Sequence, residues 1–281
     1  MYYYIIEKSK QKDFEKIEPK VKEILTNFDI LGEFIYAENI VDIPDIVKTA
    51  LDKGFSTIVA VGNDYLANAV AVNLINTKTT LGILPLEDGV LSLSLGLGNW
   101  KNACEILAAR RVLLMDTGLA NDKPFVTEVL AHQSPDIAPQ IKSSSILSKI
   151  LGSPKSDPSE SIPINININD EYEVASDITG LIIGNLRPYG KDLESIRQSM
   201  IDNNLHISFS DKVDSGTVYS QIGVIDNNTK QSNISIFHAN SFTIQSEKPL
   251  FFWSSGQVIA RTPATFSLEP QSLKIISGRL R

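Results

Sequence analysis

The chain holds a single cysteine, Cys104, among 281 residues, so an internal disulfide is excluded and a reducing compartment, the cytoplasm, is expected. Long apolar runs are missing too: none approaches the roughly 18 residues that span a bilayer. Any membrane contact is therefore expected to be peripheral, and no basic amphipathic helix stands out to provide it. Basic charge is in deficit, with 26 Lys and Arg against 33 Asp and Glu and a net charge of −7. That balance argues against general nucleic-acid binding, which draws its affinity from counterion release by a basic surface. The one basic pair, Arg110-Arg111, reads as the cationic end of a helix. The N-terminus MYYYIIEKSK lacks the basic lead-in, apolar core and small-residue cleavage site of a secretory signal.

Histidines number three, and His132, His206 and His238 are far apart without metal-ligand spacing, so structural or surface roles are expected and no metal site is assigned. No G-x-S-x-G elbow occurs, and Ser254-Ser255-Gly256 reads as a turn. Gly96-Leu97-Gly98 lacks the third glycine of a dinucleotide loop. Cys104 falls on the apolar side of a helical pattern, where a buried, inert thiol is expected.

What remains is ordinary globular composition, 42% hydrophobic and 21% charged, which suffices for one large domain or two modest ones. Tyr2 to Ile6 is β-prone, and Phe14, Ile17, Val21, Ile24, Leu25 and Phe28 follow at helical spacing. Pro19 lies within that pattern and suits the first position of a regular helix. Leu31 to Ala37 forms a second strand. Pro44 opens a helix that Gly54 closes. Ser56 to Val61 is apolar on both faces, as a parallel sheet requires, and runs into Gly62-Asn63-Asp64. A helix follows, then the strand Leu81 to Leu86, then a helix capped by Asn99. This alternation through about residue 110 predicts a parallel, doubly wound α/β domain over 1–111.

After residue 111 the pattern changes. Val112–Met115, Phe125–Leu130, Leu181–Gly184, Leu205–Phe209, Val218–Val224, Ile234–Phe237, Phe242–Ile244 and Leu250–Trp253 are short strand candidates divided by turn residues, which predicts a β-sandwich over 112–260. Residues 134–161 are Ser- and Pro-rich and read as a loop. Asn165 to Asn169 alternates polar and apolar residues, as an edge strand does.

Four segments carry a family resemblance. Ile58-Val59-Ala60-Val61-Gly62-Asn63-Asp64-Tyr65-Leu66 is similar to a strand followed by G-G-D-G-T, with Gly62 and Asp64 in agreement. Leu81-Gly82-Ile83-Leu84-Pro85-Leu86 resembles the strand before G-T-G-N, where Glu87, Asp88, Gly89 and Val90 stand and Gly89 agrees. Gly184-Asn185-Leu186-Arg187-Pro188-Tyr189-Gly190 is similar to N-x-x-x-Y-G. Ser255-Gly256-Gln257 occupies the place of D-G-E. The chain thus resembles the diacylglycerol kinase catalytic family, with its bacterial lipid kinases, sphingosine kinases and related NAD kinases. The family's Asn-Pro loop after the first strand is replaced by Glu7-Lys8-Ser9.

The resemblance implies an α/β nucleotide domain, a β-sandwich, and a segment 261–281 returning to the first domain. It implies ATP-dependent transfer of phosphate to a lipid hydroxyl, with ATP and Mg²⁺ as cofactors. Gly62, Asn63, Asp64, Tyr65, Leu66 and Gly89 would form the nucleotide site, and Asp64 would be the catalytic candidate. Glycine-rich turns serve phosphate because bare N–H groups can approach its oxygens. Tyr65 puts a ring in such a turn and is expected to strain it if its φ is positive. Leu66 removes a hydroxyl, and Glu87 and Asp88 bring negative charge toward the phosphates. Ser255 and Gln257, in place of carboxylates, are poor general bases. Asp64 has a structural alternative, capping the helix that it opens. The readings left open are an active lipid kinase, a non-catalytic relative that binds a nucleotide, lipid or protein in the cleft between domains, and another small-molecule enzyme with Asp64, Glu87 and Asp88 around a metal. Oligomeric state leaves no mark in the sequence.

Overall fold

The structure is a computed structural model and describes residues 1–87, 89–136, 161–169, 171–185, 197–213, 215, 218 and 234–279. The chain separates into two compact units, Met1–Thr117 with Pro270–Arg281, and Gly118–Glu269.

The first unit alternates strand and helix: β1 (Tyr2–Glu7), α1 (Gln11–Asn27), β2 (Glu33–Ala37), α2 (Ile43–Asp52), β3 (Thr57–Gly62), α3 (Asp64–Ala71), β4 (Thr80–Pro85), α4 (Val90–Ser94), α5 (Trp100–Ala109) and the start of β5 (Val112–Ala120). Its sheet runs β2-β1-β3-β4, all parallel, and the chain's last strand joins β4 in parallel through Ile275 opposite Leu81. Burial on both faces explains why β3 and β4 read as continuous apolar runs rather than alternating ones. Tyr2, Tyr4, Ile6, Val59, Val61 and Leu84 form one face and pack on Phe14, Val21 and Leu25 of α1 and Cys104 and Leu107 of α5. The Tyr4 hydroxyl, deep in that core, donates to the Ile30 carbonyl at 2.7 Å, which removes the cost of burying it. Arg110 ends α5 in left-handed backbone, and its guanidinium donates to the Thr57 hydroxyl and lies over the Tyr2 ring.

Pro19 does not begin α1 but lies in its middle. Its position on the exposed face explains the tolerance, because water can serve the carbonyl that proline's missing N–H leaves unpaired.

The second unit contains β6 (Lys123–Phe125), β7 (Glu128–His132), β8 (Ile162–Ile168), β9 (Tyr172–Ile178), β10 (Gly180–Gly184), β11 (Leu205–Ser210), β12 (Ser235–Ala239), β13 (Ser241–Ser246), β14 (Phe251–Ser254), β15 (Gln257–Arg261) and the beginning of β16 (Ala264–Ile276). The order β16-β13-β8-β9 forms one antiparallel sheet and β12-β11-β10-β7-β14-β15 another. Their inner faces share one core, so this unit is a β-sandwich. Phe266 of β16 is its hub: its ring stacks on Phe242 at 5.2 Å and meets the edge of Phe252 at 4.9 Å.

Asn165 to Asn169 is not an edge strand. β8 lies between β13 and β9, and its partner β9 is the edge. Alternation marked β8 as half-buried, but β9, with the exposed residues Tyr172, Glu173 and Asp177, offers too few apolar positions to register as a strand at all. The histidines are also not all apart: His206 and His238 are directly opposed on β11 and β12. Residues 137–160 and 219–224 of the loop and strand expectations lie outside the described residues. Among those described, no helix is long and apolar enough to cross a membrane.

Candidate functional site

Ligands of open parallel sheets sit beyond the carboxyl ends of the strands, at the point where neighbouring connections leave in opposite directions. In the order β2-β1-β3-β4, β1 leads outward to β2 and β3 leads the other way to β4. That point therefore falls between the ends of β1 and β3, at Glu7 and Gly62, beside the turn the sequence singled out.

Gly62 closes β3, and its carbonyl accepts the Leu86 N–H at 2.9 Å, tying this turn to the one after β4. Asn63 is in extended backbone and is the N-cap of α3: its Oδ1 accepts the Leu66 N–H at 3.0 Å. Asp64 therefore does not cap the helix that it opens. Tyr65 occupies regular helical backbone in the first turn of α3, so the strain expected of a positive φ is absent, and its ring is 37% exposed. Leu66 is fully buried and packs under Gly62, so it seals the turn from the core side.

The Asp64 carboxylate turns to the next loop. Its Oδ2 accepts the Leu91 N–H at 2.7 Å and its Oδ1 the Ser92 N–H at 3.3 Å. These are among the N–H groups that a helix start leaves without intrahelical partners, so Asp64 caps α4 from across the site. Burial pushes its carboxyl above the ordinary range, opposed by the Leu91 and Ser92 donors and reinforced by the nearby Glu87 charge. Gly89 makes the approach possible: a Cβ built there would fall inside the Asp64 carboxylate. The two loops that the sequence proposed, around 62–66 and at 89, thus meet through one contact.

Glu87 forms the rim. Its carboxylate takes an ion pair from Lys10 at 2.9 Å, with the two side chains 47% and 27% exposed respectively. The Lys10 hydrogen bond holds its pKa below the ordinary carboxylate range despite partial burial, and a bond from the Asn63 side chain adds to this. Lys10 is shifted upward by the same contact. Sequence reasoning missed Lys10, which lies just beyond β1 and carries no motif. Asp64 and Glu87 thus have separate partners, one a helix start and the other a lysine, which counts against an acidic metal cage. Asp88 lies outside the described residues, and no group of three or more His, Cys, Asp or Glu able to hold a metal occurs among the described ones.

In the second unit, Ser255 and Gly256 form a two-residue hairpin turn between β14 and β15, with φ of 45° and 72°. Positive φ at both positions matches the right-handed twist of the flanking strands. Gln257 is exposed at the start of β15. Asn185 is buried, and its N–H donates to the Thr127 carbonyl at 2.8 Å. The rest of the segment, 186–190 with Arg187, lies outside the described residues.

Residues 3–120 match the family model of the diacylglycerol kinase catalytic domain. Two solved structures of a putative diacylglycerol kinase and one of a diacylglycerol kinase, all from Bacillus anthracis str. Sterne, share the fold. One has a TM-score of 0.76 at 17% identity, covering 99% of this chain and 97% of its own. Another has a TM-score of 0.74 at 16% identity with the same coverage. A third has a TM-score of 0.72 at 16% identity, covering 99% of this chain and 96% of its own. No curated protein matches the chain.

Proposed function

We propose that this chain, whose residues 3–120 match the family model of the diacylglycerol kinase catalytic domain, is a binding member of that family rather than an efficient kinase. One observation carries the reading. Where β1 and β3 end, the Glu87 carboxylate already occupies the cationic Lys10 and the Asn63 amide, donors that would suit a phosphate oxygen.

Kinases of this family generally use ATP and a divalent metal. The residues around the β1–β3 junction fit that pair poorly. Both Asp64 oxygens accept backbone N–H groups of α4, and an incoming polyphosphate would have to displace the Glu87 carboxylate from Lys10 and would then meet its charge. Leu66 brings no hydroxyl to this turn, and the Tyr65 ring stands where a glycine would let a phosphate oxygen approach the backbone. A nucleotide, a lipid or another small molecule of low negative charge suits such a site better than a triphosphate. The single, buried Cys104 supports placing the protein in the cytoplasm.

The test pairs calorimetric titration of MgATP with transfer of radiolabelled phosphate to diacylglycerol in mixed micelles. The expected outcome is weak MgATP binding and no labelled lipid. Glu87→Gln should then strengthen MgATP binding about tenfold, as one repulsive contact near a protein surface would allow. The second reading, an active lipid kinase, has its own observation: Glu87 is 47% exposed and could turn to solvent, leaving Lys10 to a phosphate. Transfer that disappears in Asp64→Ala would establish it and overturn the binding role.

A further inference from the structure

His206 and His238 are 32 positions apart in the chain, yet strand pairing sets their rings in contact, with Nδ1 to Nδ1 at 2.7 Å. The rings stand nearly edge to face, at 80°. Two ring nitrogens at this distance share one proton, with one ring donating and the other offering its lone pair. On the far side of His206 the Asp202 carboxylate lies 3.6 Å from Nε2. At that distance the carboxylate is an electrostatic neighbour rather than a hydrogen-bond acceptor, and it favours the tautomer with the proton on Nε2, in which Nδ1 of His206 accepts from His238.

A carboxylate behind one imidazole nitrogen, with the other nitrogen turned toward a second imidazole, is the arrangement that orients histidines for a metal. His206 is buried and held on a strand, whereas His238 is exposed at the partner edge strand, so an ion can enter from solvent and find one ligand already fixed. We infer that His206 and His238 form a two-histidine site for a divalent transition metal, with Asp202 as its positioning residue and water completing the coordination.

The spacing favours one class of ion. Cis nitrogens on a square-planar centre, at roughly 2.0 Å from the metal, are about 2.8 Å apart, whereas tetrahedral zinc needs about 3.3 Å. The observed separation is nearer the first, so Cu²⁺ or Ni²⁺ fits with less movement of the strands. On binding, His238 transfers its proton from Nδ1 to Nε2, both rings stay neutral, and no net proton or electron is exchanged.

The experiment is a titration of the full chain with Cu²⁺, followed by calorimetry and by electron paramagnetic resonance. Wild-type protein should bind one equivalent with hyperfine splitting from two imidazole nitrogens. His238→Ala, at an exposed position, should fold normally and lose that two-nitrogen signature, with affinity falling at least about tenfold. Asp202→Asn should keep the signature but weaken binding by about 10- to 100-fold, the usual effect of removing a carboxylate behind a histidine ligand. Failure of the wild type to give a two-nitrogen spectrum, or its survival in His238→Ala, would overturn the assignment.

Discussion

The carboxylate of Asp64 and the α-carbon of Gly89 pack so closely that no side chain fits between them, and through this contact the turn after β3 is joined to the start of α4. Absence of a Cβ at residue 89 and the capping of Leu91 and Ser92 are therefore one structural requirement. Gly89→Ala should destabilise the protein by about 1–3 kcal/mol, as overpacking of a tight site does. Residues in contact do not act additively, so the same change in an Asp64→Ala background, where the obstructing carboxylate is gone, should cost less by about 1 kcal/mol. Urea unfolding of the single and double variants measures the coupling. Strict additivity would mean that the two loops do not depend on each other.

The Asn63 side chain performs two tasks, capping α3 through Oδ1 and holding Glu87 through its amide. Asn63→Ala should cost about 0.5–2 kcal/mol through loss of the cap alone. Asn63→Ser preserves a capping oxygen but has no amide to reach Glu87. It should recover most of the stability without the gain in MgATP binding expected of Glu87→Gln, because the Glu87 charge stays and one donor is lost. Equal stability losses in both variants would show that the cap is not what Asn63 contributes.

The legibility of this molecule divides by the distance over which its interactions act. The parallel unit was readable because its inner strands β1, β3 and β4 are apolar on both faces and each strand of the order β2-β1-β3-β4 is followed by its own helix. Asn99 was readable as a cap, and its Oδ1 does accept the Lys101 and Asn102 N–H groups. Gly62, Asp64 and Gly89 were readable as turn residues by resemblance, but not the bond from Asp64 to α4, since nothing local couples residue 64 to residue 91. Lys10 was invisible for the same reason: its partner is on another loop. His206 and His238 were dismissed on sequence separation, whereas antiparallel pairing ignores separation and depends only on register. β9 escaped because a half-exposed edge strand can be built with few apolar residues, so composition there resembles a loop.

The Lys10–Glu87 pair sets a pH window. Lys10 holds the Glu87 carboxyl below its ordinary value of 4.5, so the stabilisation is present above that value and is lost as acid protonates Glu87 in the folded state. Lys10 is raised above 10.5, so its share is present below that pH and fades at more alkaline values. Asp64, raised from 3.8 by burial, has the opposite dependence: its contribution is full below 3.8 and is lost as pH rises through the folded value. The difference in unfolding free energy between wild type and Glu87→Gln removes that background. It should be at most about 1 kcal/mol at pH 7 because the pair is partly exposed, and should vanish toward pH 3 and in about 1 M salt. A difference that grows on acidification would contradict the pairing.

In the sandwich, Phe266 touches Phe125, Phe242 and Phe252, so its removal takes one wall from each of three other rings. Phe266→Ala should cost about 3–5 kcal/mol, and Phe266→Leu markedly less because most of the volume remains. Thermal unfolding followed by near-ultraviolet circular dichroism would register both the stability and the loss of fixed ring packing. A loss under about 1 kcal/mol for Phe266→Ala would place the hub elsewhere.

Cys104 supplies a probe of the α5–sheet contact. Burial pushes its thiol up to about 11, with Glu105 adding to the shift. At pH 8 the folded thiol is then ionised at roughly one part in a thousand, against about a quarter for an unfolded thiol. Its burial in the core shared with α1 and β3 also bars a reagent from reaching it without opening. Alkylation by iodoacetamide at pH 8 should therefore be negligible in native buffer and fast in urea, with a rate that tracks the unfolded fraction. Rapid native labelling, unchanged by stabilising conditions, would mean that α5 leaves the sheet locally while the rest of the unit stays folded.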